Sequence, residues 1–238
     1  MAFFKHRSHK PAALPLALIV ACFFVVANSA VSADGTRRLF GSIEFIGGSL
    51  AALPQWVRVL EKIKGEKKDY KACNEDITKC PSPAMAAWQA KIRSVEGLPR
   101  RRQMEELNRF INSWTYRLDQ ENYGDDDYWA TPLQFLRRSG DCEDYAIIKY
   151  VSLRALGFPA DKLRIVVVRD VLRNIAHAVL AVYLDNDILI MDSLFDGVLS
   201  HHQVTFYAPQ YSVNEKRRWA HITPITRRPS TLNGVIAP

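Results

Sequence analysis

The sequence predicts an α+β fold in which helices come first and a largely antiparallel sheet follows. Apolar residues between positions 100 and 114 recur at the spacing of one helix face. Beyond Pro159 the period changes, and a β-branched run is followed by two apolar strands that a short polar turn connects. Helices and strands that are separated along the chain in this way are typical of α+β domains.

Four helices are predicted, at 53–63, 81–92, 100–114 and 142–156. The second begins at Ser82-Pro83, and the fourth ends at Gly157. Three arginines at 100–102 are interpreted as the solvated first turn of the third helix, with a patch for a polyanion as the alternative. We expect the whole region 34–98 to be helical and irregular.

A polar, aromatic loop at 119–133 interrupts the helices. Its acidic run, Asp125 to Asp127, is interpreted as a solvated turn, with a cation site as the alternative. Trp129 either lines a cleft or packs beneath the loop as a buried aromatic residue.

Three strands are predicted after the last helix, at 164–169, 177–184 and 188–192. Residues 185–187 form the turn of a hairpin between the second and third strands. This hairpin brings the start of one strand beside the end of the next. We therefore expect His177 and Asp192 to be near neighbours across the two strands.

The composition is that of a globular protein with a sizeable core. The 238 residues are 48% hydrophobic, 24% charged and 11% aromatic, which argues against disorder. With 11 glycines, 12 prolines and no repeated period, the sequence excludes collagen-like, coiled-coil and repeat architectures.

Residues 1–33 are predicted to be a secretory signal peptide. Basic residues precede an apolar stretch at 11–26, and Val31-Ser32-Ala33 is a small-residue cleavage site. An uncleaved anchor and a lipobox at Cys22 are the alternatives. Residues 1–33 carry three of the 32 basic residues and no acidic one, so the exported chain has 29 basic against 25 acidic residues, a net charge of +4. This charge is too weak to favour a nucleic-acid partner.

The cysteines favour one disulfide and one free thiol. Cys22 leaves with the signal peptide, and Cys73 and Cys80 flank a short polar loop. In an oxidising compartment this pair favours a disulfide, with a zinc site as the alternative although no second pair of ligands is nearby. Cys142 is then unpaired, which marks it as a candidate reactive thiol.

Cys142, His177 and Asp192 form a candidate catalytic triad. Cys142 lies in the first turn of a helix, where backbone N–H groups favour the thiolate. A helix packed end-on against the hairpin would bring together a nucleophile, a base and an orienting carboxylate, with the Cys142 N–H as an oxyanion donor. Each residue also has a structural interpretation: a buried small cysteine, a satisfied strand histidine and a turn aspartate. The other histidines of this half are interpreted as surface residues: His201, His202 and His221.

Three acidic residues, Asp141, Glu143 and Asp144, flank the candidate nucleophile. One acid suffices to cap the helix, whereas three carboxylates beside a thiolate raise the pKa of the thiol. Hard oxygen ligands clustered beside a polar loop suit Ca²⁺, which would cancel this repulsion and fix the start of the helix. The sequence therefore predicts a calcium site formed by these three residues.

Several motifs of the chain are shared with a known family. The most specific is Gly140-Asp141-Cys142-Glu143-Asp144-Tyr145-Ala146, and the others are Asn122-Tyr123, Trp129-Ala130-Thr131-Pro132, Phe135-Leu136, Arg169, His177-Ala178-Val179-Leu180 and Met191-Asp192. Together they resemble the bacterial transglutaminase-like cysteine proteinases, and within these the LapG-type periplasmic proteases. The resemblance is densest between Leu98 and Ile222.

This resemblance implies a papain/transglutaminase-like fold, the triad Cys142–His177–Asp192 and calcium dependence through Asp141 and Glu143. The expected domains are a signal peptide at 1–33, a protease domain at 34–223 with a helical part at 34–98 and a catalytic core at 99–223, and a flexible tail at 224–238.

The resemblance also implies a biological role. Such enzymes are periplasmic endopeptidases that cleave a dialanine-type site near the N-terminus of a giant surface adhesin, which releases the adhesin and disperses the biofilm. An inner-membrane receptor for cyclic diguanylate sequesters the protease when this messenger is abundant. Two alternatives remain open: a transglutaminase-type acyl transferase, in which an amine replaces water, and a non-catalytic calcium-binding docking module.

Overall fold

The computed structural model describes residues 38–224. The predicted signal peptide at 1–33 lies outside the described residues, as does the predicted tail beyond its first residue, Pro224. Within 38–224, no helix is both long enough and apolar enough to cross a membrane.

Six α-helices precede most of the sheet in the described part of the chain: α1 (Pro54–Glu75), α2 (Pro83–Val95), α3 (Arg100–Asn112), α4 (Asp119–Tyr123), α5 (Pro132–Arg138) and α6 (Cys142–Ala155). The four predicted helices are present, but α1 continues well past the predicted end at 63. Its extra turns are rich in lysine and glutamate, which are good helix formers although they provide no apolar stripe. Helices α4 and α5 were not predicted. Helix α5 begins with a capping box between Thr131 and Gln134.

Seven strands of the described region form one antiparallel sheet in the order β1-β7-β6-β2-β3-β4-β5. Their bounds are β1 (Ile43–Ile46), β2 (Leu163–Asp170), β3 (Ile175–Tyr183), β4 (Ile188–Met191), β5 (Leu199–Ser200), β6 (Tyr207–Val213) and β7 (Arg218–Ile222). The α+β class is confirmed. The region 34–98, expected to be helical and irregular, also contains a strand, β1, which the sequence analysis did not predict. This strand is a short, largely exposed edge strand, so it lacks the alternation that identifies strands in a sequence.

The two faces of the sheet are buried against different parts of the chain. Ile165 and Leu180 contribute to a core shared with α1, α2, α3 and α6. Their neighbours Val166 and Val179 contribute to a second core, closed by residues from the N-terminal segment and from the loop before β6. This alternation follows from the two-residue period of strands.

Helix α6 is the central helix of the fold. It contacts α3, α5, β2 and β3, and ten of its 14 residues are buried. A helix that is buried on most of its sides has no solvated face for its polar residues. The polar side chains of α6 therefore need partners inside the protein.

The cysteine prediction agrees with the structure. Cys73 and Cys80 form a disulfide between the last turn of α1 and the segment before α2. Cys142 is the free cysteine of the described residues. The arginines at 100–102 are exposed, and Arg101 and Arg102 form ion pairs with Glu105 and Glu106, as expected of a solvated first turn.

We predict that Ser152→Ala lowers the free energy of unfolding by about 1–3 kcal/mol, because buried Trp88 loses its hydrogen-bond acceptor. Trp88 is 1% exposed, and its Nε1–H donates to Ser152 Oγ over 2.8 Å. Urea denaturation measures the change. Ser94→Ala, on the exposed side of α2, is the matched control and should stay within about 0.5 kcal/mol of the unmodified protein. A loss at Ser152 no larger than that at Ser94 would contradict the assignment.

Candidate active site

Cys142 is the first residue of α6, as the sequence predicts. Asp141 precedes it as the N-cap in an extended conformation, but its side chain makes no capping hydrogen bond. The segment before the helix is held by Arg117 N–H, which donates to Gly140 O over 2.9 Å. The sulfur of Cys142 therefore lies at a helix N-terminus, where the backbone dipoles favour negative charge.

Gly140 permits the close packing of this segment against α6. A Cβ atom at position 140 would lie 2.7 Å from the Cβ of Asp144 and would overlap its carboxylate. Asp144 is short and lies in a buried helix, so its side chain has little room to move aside. Any residue larger than glycine at position 140 must therefore displace Asp144. The glycine is therefore part of the geometry that places the acidic residues around Cys142.

His177 and Asp192 are brought together by the hairpin of β3 and β4. His177 lies near the start of β3, and Asp192 directly follows the end of β4. The two strands pair antiparallel, with Leu180 opposite Met191. His177 Nε2 lies 2.8 Å from Asp192 Oδ1, and both side chains are buried. The predicted neighbours are thus in hydrogen-bond contact.

Asp192 is held by three donors. Besides His177, the Tyr207 hydroxyl donates to Oδ2 over 2.7 Å and Leu194 N–H donates to Oδ1 over 3.0 Å. Burial by itself raises the pKa of Asp192, but the hydrogen bond and charge of His177, together with the other donors, lower it overall. The carboxylate stays ionised, and its bond to Nε2–H assigns Nδ1 of His177 as the nitrogen that accepts a proton.

The sulfur of Cys142 lies beside the hairpin. The backbone N–H of Ala178, the residue after His177, acts to lower the pKa of its thiol. The thiol itself donates to Glu143 Oε2 over 3.3 Å. The structure therefore brings Cys142 to the strand that carries His177.

The surroundings of Cys142 oppose its ionisation. Burial raises the pKa of the thiol well above its usual range, and the carboxylates of Glu143 and Asp141 raise it further, while the N–H of Ala178 acts in the opposite direction. A cation bound to these carboxylates would remove part of the opposition.

The predicted metal ligands lie in two overlapping groups. Asp119, Asp141 and Asp144 each place one oxygen within 4.8 Å of the others, and Asp141 and Glu143 form a second group with the sulfur of Cys142. Asp119 Oδ1, Asp141 Oδ1 and Asp144 Oδ2 are buried without a hydrogen-bond partner among the described residues. Buried carboxylate oxygens without donors are costly unless a cation binds them.

The electrostatics of this cluster fit a divalent cation. Burial raises the pKa of Asp119 to about 6 and also raises the pKa of Glu143 and Asp144. Hard carboxylate oxygens are the ligands that Ca²⁺ prefers. Asp119 was missed by the sequence analysis, because it lies on α4, far from the acidic motif in the chain. Its position at the start of the predicted polar loop was the available signal.

Three residues of the polar loop behave as their structural interpretations predicted. Asp125 and Asp126 are exposed and do not belong to the oxygen cluster. Trp129 is 3% exposed and packs against Trp56 beneath the loop, so it does not line a cleft.

The prediction that His201 and His221 lie at the surface is wrong, whereas His202 is exposed. His221 hydrogen-bonds the hydroxyls of Ser42 and Ser212, and His201 Nδ1 accepts from Phe40 N–H. Both histidines are buried by contacts with segments distant in the chain, which the sequence does not reveal.

We predict that iodoacetamide alkylates Cys142 slowly at neutral pH in the presence of EGTA. The rate should rise only at pH values above the usual pKa of a cysteine thiol. The reason is that the thiolate reacts and the pKa of the thiol is raised. Mass spectrometry of the protein at a series of pH values measures the rate, and Cys142→Ala reports labelling elsewhere. Rapid labelling of Cys142 at neutral pH in EGTA would contradict this assignment.

The chain is similar to known proteins in both sequence and structure. Residues 68–227 match the family model of the bacterial transglutaminase-like cysteine proteinases. A structure of Legionella pneumophila LapG is 35% identical, with a TM-score of 0.55 over 65% of this chain and 86% of that one. A calcium-bound structure of the same protein is 38% identical, with a TM-score of 0.54, and the match covers 63% of this chain and 82% of that one. An EGTA-treated structure is 35% identical, with a TM-score of 0.55, and the match covers 65% of this chain and 84% of that one. No match was found among curated proteins.

The family match covers well over half of the chain. It extends from the second half of α1 through β7 and includes Cys142, His177, Asp192 and the acidic residues around them. The chain therefore belongs to the bacterial transglutaminase-like cysteine proteinases.

Proposed function

We propose that this chain is a calcium-dependent cysteine endopeptidase with Cys142 as nucleophile, His177 as base and Asp192 as the orienting carboxylate. The observation that carries the proposal is the 2.8 Å hydrogen bond between His177 Nε2 and Asp192 Oδ1, because His177 lies on β3, the strand against which α6 and its first residue, Cys142, pack. Family membership supports the same chemistry.

The reaction follows from these positions. Nδ1 of His177 takes the proton of Cys142, and the thiolate attacks the carbonyl carbon of the scissile peptide. The Cys142 backbone N–H stabilises the oxyanion at the start of α6. His177 then protonates the leaving amine, which departs and leaves a thioester. In the second half, His177 takes a proton from water, whose attack releases the carboxylate product and the thiol. Asp192 keeps the imidazole in the required tautomer throughout.

Calcium fits the oxygen cluster formed by Asp119, Asp141, Glu143 and Asp144. When bound there, it would supply positive charge that offsets the carboxylates beside Cys142 and lowers the pKa of the thiol. These residues would also fix the start of α6, because Asp141 is its N-cap and Asp144 accepts from Ala130 N–H over 2.5 Å. One of the similar LapG structures is calcium-bound, which supports this choice of ion.

We further propose that the enzyme acts in the periplasm after cleavage of a signal peptide at 1–33. Its substrate is the N-terminal region of a large surface adhesin, whose release promotes biofilm dispersal. Its regulator is an inner-membrane receptor for cyclic diguanylate that sequesters the protease. These proposals rest on the motifs shared with LapG-type proteases and on the similarity to LapG structures.

The decisive test is cleavage of a purified adhesin N-terminal fragment containing a dialanine site by the exported form of the chain. We expect cleavage with calcium, and none with EGTA or with Cys142→Ala, because thiolate formation needs both the sulfur and the neutralised carboxylates. Cleavage by Cys142→Ala would refute the triad, and cleavage unaffected by EGTA would refute the calcium requirement. Incorporation of a labelled primary amine without hydrolysis would identify a transglutaminase instead.

We predict that Asp119→Asn weakens calcium binding about tenfold or more, because it removes one charged oxygen ligand from the cluster. Isothermal titration calorimetry of the EGTA-stripped protein with calcium chloride measures the affinity. Asp126→Asn, on the neighbouring exposed loop, is the matched control and should leave the affinity unchanged. Equal affinity of the two variants would place the ion elsewhere.

A further inference from the structure

Lys149 is a fully buried lysine on the helix that begins with Cys142. It lies seven residues after the cysteine, two helical turns along the same side of α6, and is 0% exposed. Lysine is almost never fully buried without a partner. The mechanism described above does not use it, so its position calls for an explanation.

The contacts of Lys149 lead to the backbone of Asp192. Lys149 Nζ donates to Asn112 Oδ1 over 2.7 Å. The Nδ2 group of Asn112 in turn donates to Asp192 O over 2.9 Å and to Phe195 O over 3.1 Å. One asparagine on α3 therefore connects the lysine of α6 to the loop that follows β4.

A second asparagine, one turn earlier on α3, holds the same loop. Asn108 Nδ2 donates to Phe195 O over 2.9 Å and to Asp196 O over 3.0 Å. The loop 192–196 is thus held to α3 by side-chain amides. Of these two amides, Asn112 is the one that reaches Asp192.

The charges around Lys149 come from this same loop. Burial lowers the pKa of Lys149 to about 7, while the carboxylates of Asp192 and Asp196 raise it. The ring of Tyr145, on the same helix, lies 5.7 Å from Nζ. The lysine therefore faces two acids of the loop that contains the catalytic carboxylate.

We propose that Lys149 is a positioning residue that holds the backbone of Asp192 through Asn112 and so aims the Asp192 carboxylate at His177. The proposal rests on the proposed role of His177 and Asp192 in catalysis. The carboxylate can orient the imidazole only if its own backbone is fixed, and displacements of about 1 Å in such constellations reduce rates about a hundredfold.

Stability alone does not account for a lysine at this position. Desolvating an ammonium group is unfavourable, and an apolar side chain of similar length fills the same space without that penalty. Methionine has nearly the shape of lysine without its charge. A positioning role predicts that such a replacement impairs catalysis more than it impairs the fold.

Lys149→Met is the first variant to test. We expect kcat on the adhesin fragment to fall about tenfold to a hundredfold while KM stays within about twofold, because transition-state alignment changes and substrate binding does not. The melting temperature should fall no more than in Lys91→Met. This control removes a lysine that donates to Glu106 on α3, over 2.7 Å, away from the Asp192 loop, and it should retain kcat.

Asn112→Ala tests the connection without altering the buried charge. We expect it to reproduce the loss of kcat, and the double variant to lose no more than either single variant, because both act through one interaction. Retention of kcat in Asn112→Ala, or full additivity in the double variant, would overturn the proposal.

Alkylation of Cys142 separates this proposal from the proposed function, because it requires no protein substrate. With calcium present, we expect Lys149→Met to react more slowly with iodoacetamide at neutral pH than Lys91→Met, with its pH dependence moved to higher pH. A loosely held Asp192 stabilises the imidazolium of His177 less, which disfavours the thiolate. This result would support the positioning role even if the adhesin fragment were not cleaved. Unchanged alkylation together with a lowered melting temperature would show a structural role only.

Discussion

Burial of α6 is the constraint on which the rest of the structure depends. The helix lies between α3, α5 and the sheet, so its buried polar residues need partners inside the protein. Asp144 accepts from Ala130 N–H, and Ser152 accepts from Trp88. The same need applies to the acidic first turn around Cys142. The candidate site is therefore shaped by the requirements of a buried polar helix as well as by the proposed catalytic residues.

The parts of the fold that the sequence predicted are those that local patterns determine. Strands β2 to β4 are apolar runs with a short turn, and the turn sets the register of the hairpin. That register brings His177 and Asp192 together, and it can be predicted from the hairpin alone, without knowing how the rest of the chain packs. Cys142 was likewise placed at a helix start by the glycine before it and by the apolar residues that follow.

The features that the sequence did not predict depend on contacts between distant segments. Asp119 joins the acidic cluster because the start of α4 lies beside the start of α6, and its place in the polar loop does not by itself reveal this contact. His201 is buried by Phe40 from the beginning of the described chain. Strand β1 is too short and too exposed to show a period. In the sequence, nothing distinguishes Lys149 from the other charged residues of predicted helices. Its burial follows from packing on both sides of α6.

The pairing of β1 has a consequence for the order in which the protein folds. This strand is the first of the described sheet along the chain, and its neighbour β7 is the last. Almost all of the described chain separates Ile43 from Ile222, the residue opposite it. Closing so long a loop is entropically unfavourable until the intervening strands have formed. A chain that emerges N-terminus first therefore carries β1 unpaired until its final strand has been made.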